Sequence, residues 1–356
     1  MNRKKQIGII IFLILVIGSI VIIPMLRNKE SIPENDPSSQ LTIPENLIVT
    51  FGEKFPVNFE ILNDKVVATE IYFNDSLLKT WEKPKGKISF TIDFSGFGLG
   101  SKTISLVSKL KNGEEETDAR LIQILSDETP KELKAIVLKS YIHNSESFTQ
   151  GLEFNEGILF ESTGLNGKSK IVQVELESGI QKKEIALDGN YFGEGITIFG
   201  NKVYQITWQN QKCFVYDKNT LQLEKNIDYT GEGWGLCNNG KSIIMSNGTE
   251  TLTFRNPETF QIEKTIEVYD NVGARLKLNE LEYINGKIYA NVWMLDIILE
   301  IDPKTGKVLS EIDCSDVVKV GKGSGEVLNG IAYNTKTNKL YLTGKNWSNL
   351  LEVQIK

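Results

Sequence analysis

The sequence predicts an all-β protein: a five-bladed β-propeller, preceded by an immunoglobulin-like β-sandwich and, before that, an N-terminal transmembrane helix. Three observations predict it. A block of short apolar strands recurs five times between about residue 149 and the C-terminus, at intervals of propeller-blade length. A separate series of alternating strands fills residues 41–128. An uncharged, mostly aliphatic run occupies Gln6–Leu26.

The N-terminal run comes first in the chain. At about 1.5 Å per helical residue it spans roughly 30 Å, the thickness of a bilayer core. Arg3, Lys4 and Lys5 precede it, so residues 1–27 read as a single-pass anchor with its N-terminus in the cytoplasm and everything else outside. No A-x-A-like cleavage site follows, and no cysteine stands near enough for lipoprotein processing. A cleaved leader with an unusual site is the alternative, and it too exports the folded part. Residues 28–40, NKESIPENDPSSQ, are polar and proline-containing, which makes a linker.

Residues 41–128 contain the runs FPVNFEI, VVATEIYFND, KISFTIDF and KTISLVSKL, separated by turn residues every eight to twelve positions. Alternation with that spacing suggests an immunoglobulin-like sandwich, with Trp81 in its core. No cluster of reactive side chains occurs there, so a spacer or docking role is expected.

Residues 129–356 form the repeat domain. The first strand of each unit reads TQGLEF, GEGITI, GWGLCN, LNELEY and LNGIAY, which aligns Gln150, Glu194, Trp234, Asn279 and Asn329 at intervals of 44, 40, 45 and 50 residues. The second strands align Gly164, Trp208, Gly248, Trp293 and Lys345. The last unit lacks a fourth strand, whereas an unassigned strand, KAIVLKSYI, precedes the first. Pairing the two closes the ring and hides an edge. A position with a purely structural duty tends toward one residue type. These hold amides, a carboxylate, indoles and an ammonium, as expected where innermost strands converge on a shared concave site.

Composition narrows the chemistry. The net charge of -6 with no basic block argues against nucleic acid as a partner. Three cysteines without a CxxC pair give no disulfide framework, and a lone histidine, His143, makes a catalytic zinc site or a histidine-based triad a poor expectation. No cofactor motif is present. GKGSGEV at 321–327 lacks the GxxxxGK[ST] pattern and reads as a turn. His143 itself reads as a surface residue at a strand end, and Trp347 as packing.

The stretches SFTQGLEF, YFGEGI, QITW, GWGL, LNELEYINGKIYANVW, IDPKTGKV and LNGIAYN with TGKNW resemble, in order and spacing, the glutamine cyclotransferase family of plants and bacteria. The resemblance covers most of residues 134–356. It implies a five-bladed propeller that converts the N-terminal glutamine of peptides to pyroglutamate with release of ammonia, without a metal. It places the family's catalytic glutamate on Glu194 and its pocket residues on Gln150, Phe192, Trp208, Trp234, Asn279, Trp293 and Lys345. One departure is Asn247 in SNGT, where the family commonly has Asp, at a position expected to touch a channel hydrogen bond.

On this reading Glu194 takes a proton from the attacking α-amine and delivers it to the leaving nitrogen. Lys345 or Asn279 stabilises the developing oxyanion. Gln150, Asn329 and the aromatic walls of Phe192, Trp208, Trp234 and Trp293 hold the substrate. Bland readings stand beside these: Glu194 tying blades together, the indoles as inter-blade packing, Lys345 as a counter-ion. Two other functions compete, a surface-anchored propeller that binds a ligand without turnover and a metal-dependent propeller lactonase.

Overall fold

A computed structural model describes residues 36–356. The proposed anchor, and most of the linker, lie outside the described residues. Among the described residues no helix is long and apolar enough to cross a membrane.

The N-terminal part is two sheets. Ser39–Leu41, Lys54–Ile61 and Gly86–Asp93 make one; Asn46–Thr50, Glu115–Leu125, Gly100–Leu110, Val66–Phe73 and Ser76–Glu82, in that order, make the other. Strands such as Lys54–Ile61 place alternate residues on the inner face, as the period of two requires. Val57, Phe59, Ile71, Phe73, Ile104, Leu106, Ile122 and Ile124 interlock between the sheets. Trp81 packs on the rim of this core, edge-on to Phe59 at 5.0 Å and to Phe90 at 5.2 Å.

This part is docked on the rest of the chain. Tyr269, from a loop of the C-terminal part, is buried in the N-terminal core. Lys102 pairs with Glu267 at 2.8 Å, and Lys307 with Asp127 and Glu128 at 2.5 and 3.1 Å. Gly100 sits so close to Glu267 that a Cβ would lie 1.6 Å from its Oε2.

The C-terminal part is propeller-like. Three four-stranded antiparallel sheets cover Thr149–Ala186, Gly193–Asp228 and Leu236–Glu267. An eight-stranded sheet holds the remainder. Its centre is the strand Lys131–Ile142, which pairs antiparallel with the last strand, Asn349–Ile355, and through its first residues parallel with Val308–Asp313. The strand left over in the sequence thus completes the last unit, as expected, and also stitches that unit to the one before.

In the three four-stranded sheets the first strand is mostly buried and the fourth mostly exposed. The first strands pack one on the next, and Leu328–Asn334 returns to Thr149–Asn155, closing a ring. Between each pair of neighbouring sheets lies one apolar cluster: Phe160, Ile196 and Phe214 in one gap, Tyr204, Leu236 and Phe260 in the following gap, and so on around the ring. Each such side chain contributes about 1.5–3 kcal/mol by burial, so the gaps, not the sheet edges, hold the ring together. A short helix, Ser315–Gly321, interrupts the strand pattern and packs on Trp347, which is fully buried.

Candidate active site

The residues aligned by the repeat are aimed inward by a shared irregularity. The pairing of first and second strands slips at Gln150, at Glu194–Gly195, at Asn279–Glu280 and at Asn329–Gly330. An extra residue in one strand of a pair turns the backbone and redirects a side chain. The glycines that follow let neighbouring sheets touch: a Cβ on Gly151 would meet Ile196 N at 2.5 Å, one on Gly195 Leu236 N at 2.4 Å, and one on Gly235 Asn279 O at 2.1 Å.

The result is a cavity of about 280 Å³ at one end of the ring. Glu194 and Gln150 line it, with Trp208, Trp234 and Trp293 as walls and Lys345 and Asn279 facing in. Phe192 completes the apolar lining. Eight of the nine side chains singled out in the sequence therefore meet in one place. The ninth, Asn329, does not line the cavity. It is fully buried behind Gln150, and its Nδ2 donates to Thr149 O at 2.9 Å and to Gln150 Oε1 at 3.3 Å. It holds Gln150 rather than facing a ligand.

Glu194 is buried, and Gln150 Nε2 donates to its Oε1 at 3.0 Å. Burial pushes its carboxyl well above the usual carboxylate range; the Lys345 ammonium pulls it back, and the Glu232 charge adds to the rise. Burial likewise lowers the Lys345 pKa, with Glu194 and Glu326 opposing. Lys345 Nζ stands 4.7 Å over the Phe148 ring, a cation–π contact that partly replaces lost hydration. Among the described residues Asn279 Oδ1 is buried without a hydrogen-bond partner, an arrangement that is costly unless a ligand supplies the donor.

Four lining residues escaped the sequence reading: Phe148, Met294, Glu326 and Val327. Two of them had a signal. Side chains two apart on a strand share a face, and stepping back two residues from the aligned position gives Phe148, Phe192, Glu232, Lys277 and Val327. In the segment 321–327, Gly321 ends the short helix and the rest is an irregular turn, as expected, which carries Glu326 and Val327 to the cavity wall.

Two further expectations are corrected. His143 is buried, not on the surface: its Nδ1 contacts Trp347 O at 2.7 Å and its Nε2 contacts Glu161 Oε1 at 3.1 Å. The backbone enters the ring there, so a polar side chain at the strand end is covered by the joining sheets. Burial works against its charge, but the Glu161 carboxylate outweighs burial and the net shift is upward. Asn247 does not reach a channel hydrogen bond; its Oδ1 accepts from Thr249 N at 3.2 Å and Thr249 Oγ1 at 2.7 Å within its own turn.

Fold and site together define a β-propeller-like protein with a buried carboxylate set deep in an aromatic funnel, suited to handling a small polar group in dry surroundings. The sequence pattern of the glutamine cyclotransferase family matches residues 105–355, and the chain belongs to that family. The glutaminyl-peptide cyclotransferase of Arabidopsis thaliana is 39% identical over 227 residues, 62% of this chain and 71% of its own length. The crystal structure of Myxococcus xanthus glutaminyl cyclase superimposes with a TM-score of 0.61 at 37% identity, covering 64% of this chain and 98% of that one.

Proposed function

We propose that this chain is a glutaminyl-peptide cyclotransferase that closes the N-terminal glutamine of peptides or proteins to pyroglutamate and releases ammonia, with Glu194 as the proton shuttle. The observation that carries the proposal is Glu194 itself: a carboxyl group raised by burial, held by Gln150, inside a funnel of aromatic rings. Membership of the family supports the reaction class.

The substrate's α-amine has a pKa of about 7.7–8.0, so a useful fraction is neutral near pH 7.5. Its nitrogen attacks the γ-carboxamide carbon, forming the ring C–N bond. Glu194, as carboxylate, takes the proton that the amine sheds. It then delivers that proton to the carboxamide nitrogen, the old C–N bond breaks, ammonia departs and the carboxylate is restored. Holding one bent conformer of the glutamine side chain supplies much of the acceleration, because the reaction is intramolecular. Lys345, or the Asn279 amide, donates to the oxygen that gains charge as the ring closes. The unpaired Asn279 Oδ1 accepts from the substrate's own N–H groups. Phe192, Trp208, Trp234 and Trp293 exclude water and keep the carboxyl pKa high. The proposed chemistry uses no metal, and His143, the chain's lone histidine, is engaged by Glu161 and Trp347.

In the same reading the ring has five blades, the last completed by Lys131–Ile142. Residues 41–128 are an immunoglobulin-like spacer, and residues 1–27 anchor the chain in the cell membrane with both folded parts outside the cytoplasm. The test is mass spectrometry of a Gln-X peptide incubated with the protein. Loss of one ammonia, abolished in Glu194→Gln and insensitive to EDTA, supports the proposal. Tight binding without turnover would instead establish a ligand-binding propeller, and EDTA-sensitive hydrolysis a lactonase.

A further inference from the structure

The aromatic lining is not a set of independent rings. Phe148 meets Phe192 edge-on at 6.1 Å, and Phe192 meets Trp208 at 5.7 Å. On the other side Trp234 meets Trp293 at 5.6 Å with planes at 89°. The two arcs come from different sheets, and no ring-to-ring contact joins Trp208 to Trp234 among the described residues. Glu232 joins them. Trp208 Nε1 donates to its Oε2 at 2.8 Å, Trp234 Nε1 donates to the same oxygen at 3.1 Å, and Gln209 Nε2 donates to Oε1 at 3.0 Å.

We propose that Glu232 is a positioning residue for the cyclisation: its single carboxylate fixes the Trp208 and Trp234 indoles against each other, turns two aromatic arcs into one wall, and sets behind that wall a negative charge that acts on Glu194. The inference rests on the function proposed above. An indole has one polar handle, and aiming two such handles at one oxygen sets the rotation of both rings. Trp208 is 38% exposed, so packing alone does not fix it. The carboxylate stays ionised, because the three donors outweigh the burial that works against its charge. The charged groups around the cavity are Glu194, Lys345 and Glu326 on its lining and Lys277, whose Nζ lies 5.6 Å over the Trp293 ring; of these, Glu194 is the one on which the Glu232 charge acts. The Glu232 charge is one of the causes that raise the Glu194 pKa.

Two variants of the full chain separate positioning from charge. Glu232→Ala removes both. A KM for a Gln-X peptide raised about tenfold or more, as expected for losing hydrogen bonds to a charged acceptor, together with greater quenching of tryptophan fluorescence by acrylamide, supports the proposal. Glu232→Gln keeps a carbonyl that can accept from both indoles but loses the charge. Its quenching should match wild type, while the ascending limb of kcat/KM against pH moves to lower pH because Glu194 loses a neighbour that raised its pKa. Wild-type KM and quenching in Glu232→Ala overturn the positioning claim, and a superimposable pH profile in Glu232→Gln overturns the charge claim. If wild type releases no ammonia, the proposed function fails, whereas the quenching comparison still decides whether Glu232 orders the indoles.

Discussion

Replacing Glu194 by Gln isolates the proton shuttle from everything else the side chain does. The amide is isosteric, and its carbonyl still accepts the Gln150 Nε2 bond now made at 3.0 Å, so the walls stay in place. What disappears is a group able to take and return a proton, a contribution of about 10² to 10⁴ in rate, or about 3–5 kcal/mol of barrier. The loss should fall on kcat, with KM changed little, because substrate binding rests on the rings and amides. Stability should move the other way. The folded-state pKa of Glu194 lies above its unfolded value, so its contribution is complete at low pH and is lost as pH rises through the folded pKa. Gln does not titrate, and at pH 8 the variant should melt no lower than wild type. Coupled-enzyme ammonia release and differential scanning calorimetry on the same preparations read both effects. A Glu194→Gln protein that keeps more than a tenth of wild-type kcat refutes the shuttle, and one that loses activity only by melting earlier refutes the assignment of the loss to chemistry.

Other consequences follow from neighbouring features. Lys345→Met should lower kcat by about 10²-fold if its ammonium stabilises the oxyanion, and an unchanged kcat in steady-state assays would assign that duty to Asn279. Three buried carboxyls, Glu153, Glu280 and Glu282, sit deeper in the ring with pKa values raised by burial, that of Glu153 to about 7. Their contribution is complete below the unfolded value of about 4.5 and fades as pH rises through each folded-state pKa, for Glu153 about 7, so the melting temperature should fall between pH 5 and 8, and less steeply in Glu153→Gln. His143→Leu should cost about 3–5 kcal/mol in chemical denaturation, because it leaves the Glu161 carboxylate buried and unpaired. Gly235→Ala should destabilise the ring and lower soluble yield, since its methyl would lie 2.1 Å from Asn279 O.

Much of this was legible in the chain. The repeat aligned Gln150, Glu194, Trp234 and Asn279 because first strands occupy equivalent places around the ring, and the cavity collects all four. Asn329 obeyed the same alignment yet turned away. Strand period cannot report which of several converging amides is pushed behind the others, and here Asn329 donates to Gln150 Oε1 and fills the space beneath it. His143 was misplaced because a strand end looks exposed until the closing strand covers it. Glu232 carried a signal, two positions before Trp234, but a lone acidic residue beside glycines reads as a loop until both indole N–H groups are seen to point at it. Docking of the N-terminal sheets through Tyr269, Glu267 and Lys307 left no trace in the sequence, since each of those residues is unremarkable in its own segment.

The strand Lys131–Ile142 belongs to the last-made portion of the ring although it is synthesised before any other part of it. During synthesis it emerges with its hydrogen-bonding edges unmet and must wait for more than two hundred residues before Asn349–Ile355 arrives to pair with it. Until then the funnel has no closed wall on the side of Lys345 and Gln150. The ring therefore closes only when Asn349–Ile355 has been made, and a chain lacking that strand is expected to keep Lys131–Ile142 with an open edge.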